Sequence, residues 1–146
     1  MKFQTEQEID EFLESLEAGT IPKEAWTHQA HLAIAGVYVW REIADADGAA
    51  LPRLRFGILS LNRRHGTRDT IESGYHETLT VFWVSIVRDF CSRNQSMSRL
   101  QAINEMMETL PSSLFKQFYS FDVVKSPLAR ERWVGPDLLA LPGDTK

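Results

Sequence analysis

The amino-acid sequence predicts an all-α fold, a single-domain bundle of five to six helices. Three observations carry this. Apolar residues recur three and four apart along successive stretches of the chain, the period of a helix with one buried stripe. Residues that cap or stop helices bracket those stretches. No internal repeat, low-complexity tract or linker-like composition divides the 146 residues, so one domain is expected over 1–146.

Thr5 with Glu8 has the capping-box spacing, and Ile9, Phe12, Leu13 and Leu16 then follow at helical intervals until Gly19. Ile21-Pro22 marks a turn, after which Thr27 can cap a second helix running to about Ile43. A third is expected over Ala49 to Arg64, with Leu51, Leu54, Ile58 and Leu61 on one face, Pro52 in the first turn and Gly66 as the stop. The polar, glycine-bounded loop 66–74 is long for a connection inside a compact helical domain, a length often associated with function. A fourth helix, about Tyr75 to Ser92, carries Leu79, Phe82, Trp83, Ile86, Val87 and Phe90. Ser96 can cap a fifth through Met107, which Pro111 ends. Ser112 to Tyr119 reads as a short helix, and Ser126-Pro127 opens one or two further turns over Leu128 to Val134.

Composition narrows the function classes. Hydrophobic content of 43% and charged content of 25% are ordinary for a globular domain and exclude disordered and collagen-like chains. A chain this long buries roughly 70% of the surface its unfolded form exposes, which supports a real core. The net charge of −4 argues against nucleic-acid and anionic-membrane partners, which select an excess of Lys and Arg on one face. The single cysteine, Cys91, can form neither an intramolecular disulfide nor a cysteine zinc cluster. Met1 to Glu6 has no apolar signal core, and no run reaches the ~18 apolar residues of a membrane span, so a cytoplasmic protein is expected. Nothing in the sequence specifies an oligomer.

The four histidines hold the most information. His28 and His31 are three apart, on the stripe that continues through Leu32, Ala35 and Val39. His65 follows Leu61 by four, and His76 leads to Leu79, Thr80 and Trp83. Short connections make successive helices antiparallel, so the start of the second, the end of the third and the start of the fourth should meet at one end of the bundle. Imidazoles gathered there suit a divalent transition metal, such as zinc, iron or manganese, with His28, His31 and His76 as ligands and His65 at the edge. Adjacent helical residues point about 100° apart, so Glu77 is expected as a proton-managing catalytic group and not as a ligand beside His76. Two other readings stand beside this one. The histidines can be hydrogen-bonded core or cap residues of a structural or protein-interaction protein that binds no metal, or one of them can serve in metal-free acid–base chemistry.

Arg53, Arg55, Arg63, Arg64 and Arg68 make a local basic cluster that could hold a small anionic ligand beside the histidines, or be a solvated face paired with carboxylates. Arg130 and Trp133, three apart, could orient an anion and close over it, or Trp133 could simply cap the bundle. No nucleophile motif and no glycine-rich phosphate loop is present.

The motifs Trp26-Thr27-His28-x-x-His31-Leu32, Asn62-x-x-His65-Gly66, Gly74-Tyr75-His76-Glu77-Thr78-x-Thr80 and Ser126-x-x-Ala129-Arg130-x-x-Trp133-Val134-x-Pro136-Asp137 resemble a family of small uncharacterised bacterial helical proteins. The resemblance runs from Trp26 to Asp137 and implies a helical fold and important motif positions, but no substrate. The motif positions Trp26, Asn62, Tyr75, Thr80 and Trp133 are the expected ligand-contacting residues, joined by Arg68 from the basic cluster. One departure is Leu61, where a tyrosine is expected before Asn62.

Overall fold

The computed structural model describes residues 1–143 and contains no β-strand among them. Six α-helices follow in order: α1 (Glu6–Ala18), α2 (His28–Asp45), α3 (Ala50–His65), α4 (Glu77–Arg93), α5 (Arg99–Thr109) and the short α6 (Pro127–Glu131). Turns of 3₁₀ helix at Lys23–Ala25 and Ser112–Gln117 precede α2 and follow α5. None of these helices is long and apolar enough to cross a membrane.

The termini are set by local chemistry. Thr5 accepts the Glu8 N–H at 3.1 Å and Thr27 accepts the Ala30 N–H at 3.2 Å, which satisfies first-turn donors that have no partner inside the helix. Gly19 and Gly66 end α1 and α3 in the left-handed conformation at φ 71° and 69°. Three boundaries differ from expectation. Ser98, not Ser96, caps α5, because residues 94–97 are held in a turn by the Met97 N–H on the Asn94 carbonyl. His76 lies outside α4 as its N-cap and not within the first turn. α6 stops at Glu131, where Thr78 captures the next residues as extended chain: its hydroxyl donates to the Arg132 carbonyl at 2.7 Å and accepts the Val134 N–H at 3.0 Å.

α2 is the centre of the bundle and packs against α1, α3, α4 and α5. Its residues Leu32 to Val39 are all buried, so over that stretch it is enclosed on every side and has no solvent-facing stripe. Gly36 lets α5 approach closely, since a Cβ there would lie 2.6 Å from the Met106 methyl. On the far side of α4 the chain after α5 folds back and buries a second apolar cluster that includes Phe82, Phe118, Tyr119, Val123 and Ala129. That return brings Val123 and Arg130 to the end of the bundle where α2 and α4 begin.

Candidate ligand-binding site

A cavity of about 430 Å³ opens where α2 starts, α3 ends and α4 starts. His28, His31, Leu32 and Ala35 form its α2 wall, with Trp26 just before the helix beside them. Leu54, Ile58 and Asn62 come from α3, and Tyr75, His76, Leu79, Thr80 and Trp83 from the entry and first turns of α4. Ser112 and Phe115 close the remaining side. Among the described residues, no Asp, Glu, Lys or Arg lines it.

Each histidine ring is tied to a backbone carbonyl. His28 Nε2 bonds the Leu110 carbonyl at 3.0 Å, His31 Nδ1 the Thr27 carbonyl at 2.8 Å, His65 Nε2 the Ile21 carbonyl at 2.7 Å and His76 Nε2 the Val123 carbonyl at 2.9 Å. A carbonyl only accepts, so each of these nitrogens carries its proton, and in the neutral ring the other nitrogen is an acceptor. His76 uses that acceptor on the Leu79 N–H at 3.1 Å, so both of its nitrogens are engaged. His28 Nδ1 and His31 Nε2 have no intramolecular partner among the described residues.

Aromatic contacts fix the first two rings. Trp26 lies over His31 with centroids 4.0 Å apart, and Trp83 meets His28 edge-on at 4.7 Å. Burial lowers the His31 pKa to about 4, overcoming the opposing effect of its bond to Thr27, so the ring is neutral at neutral pH. Burial also holds His76 below the usual histidine range.

The structure separates other residues from the cavity. His65 does not line it; its ring turns back to Ile21 and ties the end of α3 to the chain after α1. Glu77 also lies outside the lining and is not a free base. Arg55 grips its carboxylate through Nε at 3.0 Å and Nη2 at 2.7 Å, the Tyr75 hydroxyl donates at 2.5 Å, and the Arg55 cation lowers the carboxyl pKa. Tyr75, pushed up to about 12 by burial and by Glu77, stays a hydroxyl donor. Arg130 is committed elsewhere: its Nη1 and Nη2 donate to the carbonyls of Ile71, Ser73, Gly74, Tyr75 and Val124 at 3.0 to 3.3 Å. It therefore fastens loop 66–74 and does not present itself to an anion. Gly74 in that loop has φ 95°, and a Cβ would come within 2.9 Å of the Asp69 Cα, so only glycine fits the closure. Arg68 and Trp133 are outside the lining, and Trp133 is exposed. Arg53 pairs with Asp47 at 2.9 Å, so part of the basic cluster is an ordinary ion-paired face.

The convergence of helix ends thus brings together His28, His31 and His76 with Trp26, Asn62, Tyr75 and Thr80, and leaves out His65, Arg68, Glu77, Arg130 and Trp133. Among the described residues, no three His, Cys, Asp or Glu side chains converge closely enough to hold a metal ion. Sequence reasoning missed the Arg55–Glu77 pair and the contribution of Ser112 and Phe115. The first joins residues 22 apart, and the second comes from a chain reversal after Pro111 that carries no periodic signal. No protein-family model matches the chain, and neither curated proteins nor solved structures give a significant match.

Proposed function

We propose that this chain binds a small molecule in the cavity walled by His28, His31 and His76. The cavity itself carries the reading: at about 430 Å³ it falls within the range of ligand sites, and its mainly apolar lining holds a few convergent polar groups. An anionic ligand, as the arginine cluster first suggested, would meet no cationic side chain on that lining. A bacterial, cytoplasmic setting accords with the motif resemblance and with a lone, buried Cys91 thiol. The test is thermal stabilisation across a metabolite panel, since a ligand of the folded state raises the unfolding midpoint by mass action. A hit that His28→Ala abolishes supports the reading; no shift from any compound overturns it.

A metal-dependent enzyme is the more specific form of this proposal. It is favoured by the carbonyl bonds of His28 and His31, because ligating imidazoles commonly donate their other N–H in this way. Two imidazoles would need further donors from the substrate or water. Elemental analysis of protein purified without a histidine tag, after incubation with zinc, iron or manganese, decides it: near-stoichiometric metal lost in His28→Ala supports it, and metal-free protein overturns it.

The competing reading is an interaction protein whose histidines are hydrogen-bonded structural residues. Phe56, 73% exposed on α3 one turn before the 40% exposed Leu59, favours it. It predicts that His28→Ala and His31→Ala lower stability while the protein that still folds keeps its partner, and a selective ligand lost in both folded variants argues against it.

A further inference from the structure

We infer that the ligand of this cavity is an uncharged aromatic or heteroaromatic ring compound bearing O–H or N–H donors, which His28 Nδ1 and His31 Nε2 receive. The inference rests on the cavity being a ligand site and adds the chemical class.

The donor requirement comes from tautomers. The Leu110 carbonyl takes the proton of His28 Nε2 and the Thr27 carbonyl that of His31 Nδ1, so in the neutral form of either ring the opposite nitrogen carries the lone pair. These lone pairs are not sealed in protein. Among the described residues, Arg130 Nε is the buried side-chain nitrogen or oxygen that lacks a partner, so the unpartnered nitrogens of His28 and His31 reach open space, and both residues line the cavity. A ligand without donors would displace water from two acceptors and leave them unpaired, which costs affinity. Asn62 adds one amide donor group and one carbonyl acceptor to the same lining.

The ring follows from the walls. Trp26, Tyr75, Trp83 and Phe115 surround the space, and flat, apolar faces favour offset or edge-on packing with another ring. The absence of charge follows from the lining: a carboxylate or phosphate would be desolvated with no Lys or Arg opposite it, and an ammonium with no Asp or Glu.

Three probes of similar shape separate these requirements at pH 7.5: 2-naphthol, 2-methoxynaphthalene and 2-naphthoate, with dissociation constants from fluorescence and ligand-observed NMR titration of the full chain. The expected order is 2-naphthol tightest, the ether about 5-fold weaker for the lost donor, and the carboxylate about 10-fold weaker or more. In His31→Phe, which keeps a ring against Trp26, and in His28→Phe, which keeps a ring against Trp83, the acceptor is gone and the preference of naphthol over the ether should shrink toward unity. Either variant that folds suffices. Equal binding of naphthol and ether, or tighter binding of naphthoate, overturns the ligand class while leaving the cavity a ligand site. No binding of any probe overturns the ligand class, and the metabolite panel then decides separately whether the cavity is a ligand site.

Discussion

His76 Nε2 donates to the Val123 carbonyl at 2.9 Å, across 47 residues, while its Nδ1 accepts the Leu79 N–H and caps α4. One neutral ring therefore starts a helix and clasps the returning C-terminal segment. His76→Ala removes both functions in a buried setting and should lower stability by about 2–4 kcal/mol, the sum of a lost cap and an unpaired carbonyl. His76→Asn keeps a cap acceptor and should recover about 1 kcal/mol of that loss. Urea midpoints of the three proteins check this, and equal loss in both variants would remove the cap from the account.

Acid should weaken the fold before the carboxylates titrate. Unfolded histidine titrates near 6.5, whereas half-buried His31 titrates at about 4, so between those values the unfolded state binds more protons and stability rises with pH. The contribution is complete above about pH 6.5 and is lost as pH falls toward 4, amounting to on the order of 2–3 kcal/mol. The lowered His76 acts in the same direction. Between pH 7 and 5 the denaturation free energy should fall in the wild type and fall less in His31→Phe; parallel slopes would refute the assignment.

Arg130 joins the loop before α4 to the segment before α6 through five backbone carbonyls. Arg130→Met should cost about 2–4 kcal/mol and should speed proteolysis within 66–75. Arg130→Lys should rescue little, because an ammonium lacks the planar fork that reaches carbonyls on both sides. Limited proteolysis with mass mapping reads the result, and an unchanged cleavage pattern would count against the latch.

Glu77→Gln separates position from chemistry. The carboxylate is held by Arg55 and Tyr75 and lies off the cavity lining, so the substitution should lower stability by about 1–2 kcal/mol at pH 7 yet alter ligand affinity less than about 3-fold. Calorimetric titration beside thermal melts gives both numbers. A large loss of affinity with an unchanged melt would return Glu77 to the site.

Helix starts and stops were legible because they depend on neighbours in sequence: Thr5, Thr27, Gly19 and Gly66 act within one turn. The meeting of three helix ends was also legible, because short connections leave little choice of direction. What a side chain does at that meeting point was not. His65 follows the same spacing as its neighbours but bonds Ile21, 44 residues away. Glu77 and Arg130 looked chemically available until distant partners, Arg55 and the loop carbonyls, claimed them. α6 was overextended for a similar reason, since Thr78 outcompetes the helix for the backbone of Arg132 and Val134.

The enclosure of α2 bears on how this site can diversify. From Leu32 to Val39 that helix has no outward side, so a larger residue at Ala35 cannot be relieved by tilting the helix away from the cavity. Trp26 before the helix and Ser112 and Phe115 on the returning segment stand on 3₁₀ turns and their borders and are less buried. Changes in ligand preference within sequences of this type should therefore accumulate on that rim, while the α2 wall stays nearly invariant in volume.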